Sequence, residues 1–209
     1  MQKAIDVFNL HKDIIEDYKS FVNSFVNIKD DSIRAYVESE MNRGKFWPEP
    51  LIQFNPSFKL GASIQSLCDG GTLHPDLANI FKGFTLFQHQ VEAITKGAEG
   101  SDYVVTSGTG SGKSLIFLAT IFDYLLKNKS KKGVSAVIVY PMNALINSQS
   151  EEIKKFAENY KKVTGKEFPF KFAQYTGQEG QDVRERIKKD LPDIILTNYM
   201  MLELILTRS

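Results

Sequence analysis

The chain carries a single cysteine, Cys68, in 209 residues. One thiol cannot close an intramolecular disulfide or build a cysteine-rich zinc site, so a stapled scaffold and a zinc module are both excluded. Long apolar runs are also missing. The longest, around residues 115–122, falls far short of the roughly 20 residues that a membrane helix needs. The N-terminus MQKAIDVFNLHKDIIEDYKS carries acids early and has no apolar h-region, so no signal peptide is visible. The default expectation is a cytoplasmic protein with no membrane partner. An excess of one charge is absent as well: 26 Lys+Arg stand against 25 Asp+Glu, and net charge selects no partner. The halves differ slightly, with 10 basic and 13 acidic residues in 1–100 and 16 and 12 in 101–209, so an anionic partner is expected on the second half. Repeats and low-complexity tracts are not found. What remains is an ordinary globular composition, 42% hydrophobic and 24% charged. At roughly 150 residues per domain the length is about 1.4 domains.

Residues 4–28 read as one amphipathic helix or two, with apolar residues three and four apart at Ile14, Ile15, Tyr18, Phe21, Val22, Phe25 and Val26. A second helix is expected after Asp31 or Ser32, either of which can cap it. Pro48, Pro50 and Pro56 then impose an irregular, extended connection. CDGG at 68–71 and His74–Pro75 mark turns, and a boundary is expected near residue 75. Beyond it strands alternate with helices. Strands are predicted at Tyr103–Thr106, Val134–Tyr140, Phe170–Tyr175 and Asp193–Thr197. Helices are predicted at Lys113–Lys127, Asn143–Tyr160, 181–189 and 199–207. The run VSAVIVY at 134–140 is almost wholly apolar, as a strand covered on both faces would be. This alternation implies an α/β fold with a parallel sheet and right-handed crossovers.

The strongest signal is SGTGSGKS at 107–114, between a predicted strand and a predicted helix. That context is what a phosphate-binding loop requires. Gly110 and Gly112 let the backbone approach phosphate oxygens. Lys113 brings a point charge to the β- and γ-phosphates, the Ser114 hydroxyl can ligate Mg²⁺, and the new helix adds its positive end. Thr109 and Ser111 complete the cradle. The small residue Ser107 stands where the generic pattern has glycine, and this form is similar to the loop of superfamily 2 helicases.

The flanks strengthen the resemblance. Gln90, in FTLFQHQVEAI, lies 23 residues before Lys113. A glutamine amide offers the donor and acceptor that fit the N6 and N7 edge of adenine, and a glutamine at this distance resembles the adenine-contacting one of DEAD/DEAH-box helicases. The aromatic that stacks on adenine in that family would align with Leu73, so no stacking residue can be assigned. PMNALINSQ at 141–149 resembles the family's motif Ia, with Pro141 and Asn143 at a helix start. Asn143 replaces a basic residue, which leaves hydrogen bonding alone. YTGQ at 175–178, with Gly177, resembles the glycine loop after the next strand. LTNYMML at 196–202, with Thr197 and Asn198, resembles motif Ib. The order of these motifs across residues 84–202 carries more weight than any one of them. The wording YPMNAL, TNYMMLELILTR and LIQFNPSF is most similar to large bacterial DEAD/DEAH-like helicases, some linked to anti-phage defence.

The resemblance implies a small, mainly helical accessory segment at 1–75. It is followed at 76–209 by an incomplete RecA-like P-loop NTPase lobe, its parallel sheet flanked by helices. It also implies ATP and Mg²⁺ as cofactors and a nucleic acid as partner, DNA ahead of RNA. A second RecA-like lobe and defence-system proteins are the further partners it implies. The family's Asp-Glu-x-His/Asp motif is not found, since no Asp-Glu dipeptide occurs in the chain. The expectation is therefore the front of a longer helicase, able to bind ATP but not to hydrolyse it alone. A translocating motor of a restriction or remodelling machine and a non-catalytic nucleotide-binding scaffold stay open as alternatives. The basic run Lys127–Lys132 is taken as solvated turn, and His11, His74 and His89 lack metal-ligand spacing.

Overall fold

A computed structural model describes residues 6–25, 27–44, 51, 57–129 and 133–207. Pro48, Pro50, Pro56, Val26, most of LIQFNPSF, residues 130–132 of the basic run and the last two residues lie outside these. The chain forms two compact units, Met1–Pro56 and Ser57–Ser209. The division falls well before the expected residue 75 because residues 57–75 build part of the second unit.

In the first unit, helix α1 spans Val7–Phe25 and α2 spans Asp31–Asn42. The cap of α2 is Asp30, one position ahead of the two expected residues. Its carboxylate accepts the N–H groups of Ser32 at 2.9 Å and Ile33 at 3.1 Å and the Ser32 hydroxyl at 2.5 Å. These donors hold the Asp30 carboxyl below its ordinary value, the Ser32 hydroxyl first among them.

The second unit opens with strand β1 (Leu60–Ser63) and helix α3 (Ile64–Asp69), neither of them expected. A one-turn α4 (Leu77–Ile80) leads to β2 (Thr85–Phe87), which pairs antiparallel with β1. Helix α5 (Gln88–Ala98) follows directly, and α6 (Lys113–Lys127) begins at the end of the glycine-rich loop. Then come β3 (Ala136–Tyr140), α7 (Asn143–Thr164), β4 (Phe172–Tyr175), α8 (Gln181–Lys189), β5 (Ile194–Asn198) and α9 (Tyr199–Thr207). Strands β3, β5 and β4 form a parallel sheet in that order. No described strand runs beside residues 103–106, so the strand expected there is absent: a ladder needs a partner, and Val104 is 88% exposed. Expected burial of both β3 faces fails too. Val137 and Val139 stay half exposed because the described elements cover that face incompletely.

The core lies between the sheet and α4, α6 and α7. Ile194 and Leu196 of the central strand are fully buried. Phe81 packs on Phe122 and Phe156 at ring separations of 5.8 and 4.7 Å, and Phe122 on Phe170 at 5.3 Å. One buried carboxylate ties the entry of this unit to α6. Asp123 accepts the His74 N–H at 2.7 Å and pairs with Lys127 at 2.7 Å, while the Lys127 ammonium also donates to the Thr72 carbonyl at 3.0 Å. Cys68 lies under the same turn, its thiol donating to the His74 carbonyl at 3.3 Å, and burial pushes that thiol up. Asp123→Ala strands a buried N–H and releases the turn, so chemical denaturation should report a loss of about 2–3 kcal/mol, with a smaller loss for Asp123→Asn.

Candidate functional site

The glycine-rich loop is built from two left-handed glycines and the amide that reaches under it. Gly110 and Gly112 have φ of +78° and +73°, a region that a side chain disfavours. Gly112 is doubly constrained: a Cβ there would sit 2.5 Å from the Gln90 amide nitrogen. Gln90 is 3% exposed. Its Oε1 accepts the Phe87 N–H at 2.8 Å, reaching back over the start of α5 as a third-position glutamine does in a capping box. Its Nε2 donates to the carbonyls of Gly112 at 3.0 Å and Ser111 at 3.4 Å. His89 Nε2 approaches the Ser111 carbonyl at 3.1 Å, and an imidazole can meet a carbonyl there only as donor.

Peptide planarity converts these contacts into an anion site. In a trans peptide the carbonyl of one residue and the N–H of the next point in opposite directions. Holding the Ser111 and Gly112 carbonyls toward Gln90 and His89 turns the Gly112 and Lys113 N–H groups the other way, into the loop. No side chain caps the first turn of α6, which leaves its end open to an anion. Lys113 folds over the same concavity, donating to the carbonyls of Ser107 at 2.8 Å and Gly108 at 2.7 Å. Ser107 and Ser111 hydroxyls join at 2.6 Å beneath it. The Ser114 hydroxyl has no hydrogen-bond partner among the described residues, and Thr109 and Gly110 are exposed. A cationic ammonium, inward N–H groups and a free hydroxyl suit a triphosphate with a divalent ion.

The remaining expected residues gather at one edge of the sheet. In register, Tyr140 lies beside Asn198, and Val139, Thr197 and Tyr175 form a row, so Pro141, Asn143, Asn198 and Gly177 all emerge at the carboxyl ends of parallel strands. Such edges are where ligands of open α/β sheets bind. Helix α6 reaches this edge through Phe117, whose ring meets Tyr140 at 6.4 Å. Asn198 and Asn143 touch, and their amides can be oriented unambiguously. The Met201 N–H donates to Asn198 Oδ1 at 2.8 Å, so Asn198 Nδ2 faces Asn143 Oδ1 at 2.8 Å. The Asn143 NH₂ group is thereby left outward at the start of α7. Thr197 is brought to the edge but not to its surface: it is fully buried, and its hydroxyl donates to the Tyr175 carbonyl at 2.6 Å.

Residues 87–209 match the family model described as DEAD/DEAH box helicase. The chain belongs to this helicase family. It is 39% identical over 120 residues to an uncharacterized ATP-dependent helicase, MJ1574, of Methanocaldococcus jannaschii, covering 57% of this chain and 17% of that one. It is 28% identical over 198 residues to the Druantia protein DruE of Escherichia coli, covering 86% of this chain and 11% of that one. In three dimensions it resembles the DUF1998 helicase MrfA, solved bound to DNA and AMPPNP, with a TM-score of 0.57 at 17% identity. That match covers 77% of this chain and 21% of MrfA. The chain thus spans less than a fifth of the two curated relatives, and its fold is that of part of a RecA-like helicase lobe.

Residues that no sequence motif marks also belong to this edge and loop. The loop after β4 is braced by Glu179, which accepts both the N–H and the hydroxyl of buried Thr176, and by Arg184, which donates to the Thr176 carbonyl at 3.1 Å. These residues hold Gly177 at the edge. Phe58 lies over Phe87 and His89 with ring separations of 5.2 and 5.1 Å. The Tyr140 hydroxyl is buried without a partner among the described residues, and burial pushes it well above the usual phenol range. Gly112→Ala forces a strained backbone against the Gln90 amide. It should weaken nucleotide binding by about tenfold or more while circular dichroism stays native, as titration of a fluorescent ATP analogue would report.

Proposed function

We propose that this chain is the ATP-binding N-terminal portion of a superfamily 2 helicase or translocase that acts on nucleic acid. The observation that carries the reading is the loop at 107–114, with its carbonyls drawn back by Gln90 and His89 and the Lys113 ammonium folded over it, next to Ser114 at the start of α6. In this reading the Gly110–Lys113 backbone and the Lys113 ammonium hold the phosphates, and Ser114 holds Mg²⁺. The bound Mg²⁺–ATP would supply the phosphoryl group whose cleavage drives movement.

The nucleic-acid strand would lie along the carboxyl edge of β3, β5 and β4. Asn143 offers two N–H donors there, and Pro141, Gly177 and Asn198 shape the contact, while Thr197 acts from beneath by fixing β5 to β4. Donors without net charge suit a backbone phosphate and read no sequence. One structural neighbour was solved with DNA and another with single-stranded RNA, which supports a nucleic-acid partner, and DNA ahead of RNA rests on the sequence resemblance. Defence-system proteins as further partners rest on the likeness to DruE.

Hydrolysis, in the same proposal, depends on a carboxylate pair and a second lobe supplied by sequence outside these 209 residues. The small share of each relative that is covered supports this, as do the half-exposed Val137 and Val139 and the unpaired residues 103–106. A translocase differs from a helicase only in what the longer protein does with the strand. Lys113→Ala should abolish ATP binding with the fold intact, and unchanged affinity by calorimetry would contradict the assignment. The 209 residues alone should release no phosphate from ATP, with or without DNA.

A further inference from the structure

Strand β4 closes one side of the parallel sheet, whose order is β3, β5, β4. Along a strand the backbone groups of successive residues point to opposite sides. The Lys171 carbonyl accepts the N–H groups of Asp193 at 2.9 Å and Ile194 at 3.1 Å, and the Tyr175 carbonyl accepts the Thr197 hydroxyl at 2.6 Å. Lys171, Ala173 and Tyr175 therefore face β5. Phe172 and Gln174 face the other way, and their outward N–H and C=O groups have no partner among the described residues. Proteins commonly blunt such an edge with a charged side chain, a proline or a bulge in the strand. The strand FAQY has no charge and no proline, and its register is regular.

Beside this edge lies an open groove of about 640 Å³ between β4 and α8. Buried Phe170 and Ile187 and the more exposed Val183 give it apolar walls. Its charges are unbalanced. Asp190 is taken by Lys171 at 2.9 Å, and Glu179 by the N–H and hydroxyl of Thr176. Arg186, which also lines the groove, has no ion pair among the described residues, and Lys188 and Lys189 follow it in the last turn of α8. Cations there suit the carboxyl end of the helix dipole, but that role needs neither a groove nor a free edge beside them. None of the lining residues belongs to the glycine loop.

We propose that the free edge of β4 and the groove beside it bind an extended, acidic segment of a partner protein, which joins the sheet as a further strand. A peptide strand meets both kinds of outward group, since it carries donors and acceptors at matching spacing. A phosphate backbone offers acceptors alone and would leave the carbonyls of Phe172 and Gln174 unmet. Side chains on one face of the added strand reach the groove, where Val183 and Ile187 take an apolar residue and Arg186 takes a carboxylate.

The test is binding of two labelled heptapeptides to the full chain by fluorescence anisotropy. The acidic probe is Val-Thr-Glu-Thr-Val-Thr-Glu, which sets Val and Glu on one face of a strand, and its counterpart has Lys in place of Glu. The acidic probe should bind more tightly than the basic one. Arg186→Glu should weaken the acidic probe by about fivefold and reverse the preference. Gln174→Pro removes an outward N–H that no ladder bond uses, so it should abolish binding while circular dichroism stays native. Hydrogen exchange should show new protection at the Phe172 and Gln174 amides when the acidic probe is bound. No binding of the acidic probe at millimolar concentration would overturn the proposal, as would binding that ignores Arg186→Glu. Dimerisation of the chain that Gln174→Pro abolishes would assign the edge to a second copy and overturn it as well.

Discussion

Everything at this site depends on one close approach, that of the Gln90 amide to Gly112. A side-chain carbon at Gly112 would collide with Gln90 at 2.5 Å, and the backbone there is left-handed, so glycine is demanded twice. In return the amide pulls two carbonyls away from the concavity and aims the following N–H groups into it. Lys113 and the first turn of α6 then act on a loop whose shape is already set. The polar atoms that fix it are buried, and low dielectric makes such contacts expensive to break.

The second half of the site follows from strand register. Parallel pairing of β3, β5 and β4 brings the ends of three strands into one row, so residues far apart in sequence meet without a dedicated contact. The Asn198–Asn143 bond joins two of these ends, and the Met201 N–H fixes which way both amides face. The amide donors of Asn143 and Asn198 at this edge are neutral, the charges of Glu179 and Arg184 brace Thr176, and the Lys113 ammonium sits at the glycine loop.

The sequence made the glycine loop and most elements of the parallel sheet legible for a physical reason: their signals are local. Gly110, Gly112 and Lys113 declare a conformation and a charge, and β3, α7, α8, β5 and α9 follow apolar periodicity. The errors arose where a partner decides. Residues 103–106 are as apolar as a strand, yet a strand exists only beside another. Strands β1 and β2 are four and three residues long, too short for alternation to show. Gln90 was singled out for the nucleotide site, and its hydrogen bonds to the Ser111 and Gly112 carbonyls depend on a loop more than twenty residues away. Thr197 stood correctly at the edge, while its burial depends on Tyr175 in another strand. The contact of Phe58 with His89 left no sequence signal, because only the β1–β2 ribbon brings the two rings together.

The most direct measurement of the central claim is a backbone amide NMR titration of the chain with Mg²⁺ and tripolyphosphate. The account predicts that the largest shifts fall on the amides of Gly110, Ser111, Gly112, Lys113 and Ser114, with smaller ones at His89 and Gln90. Shifts confined to another surface, such as the groove between β4 and α8, with the loop amides unmoved, would contradict it.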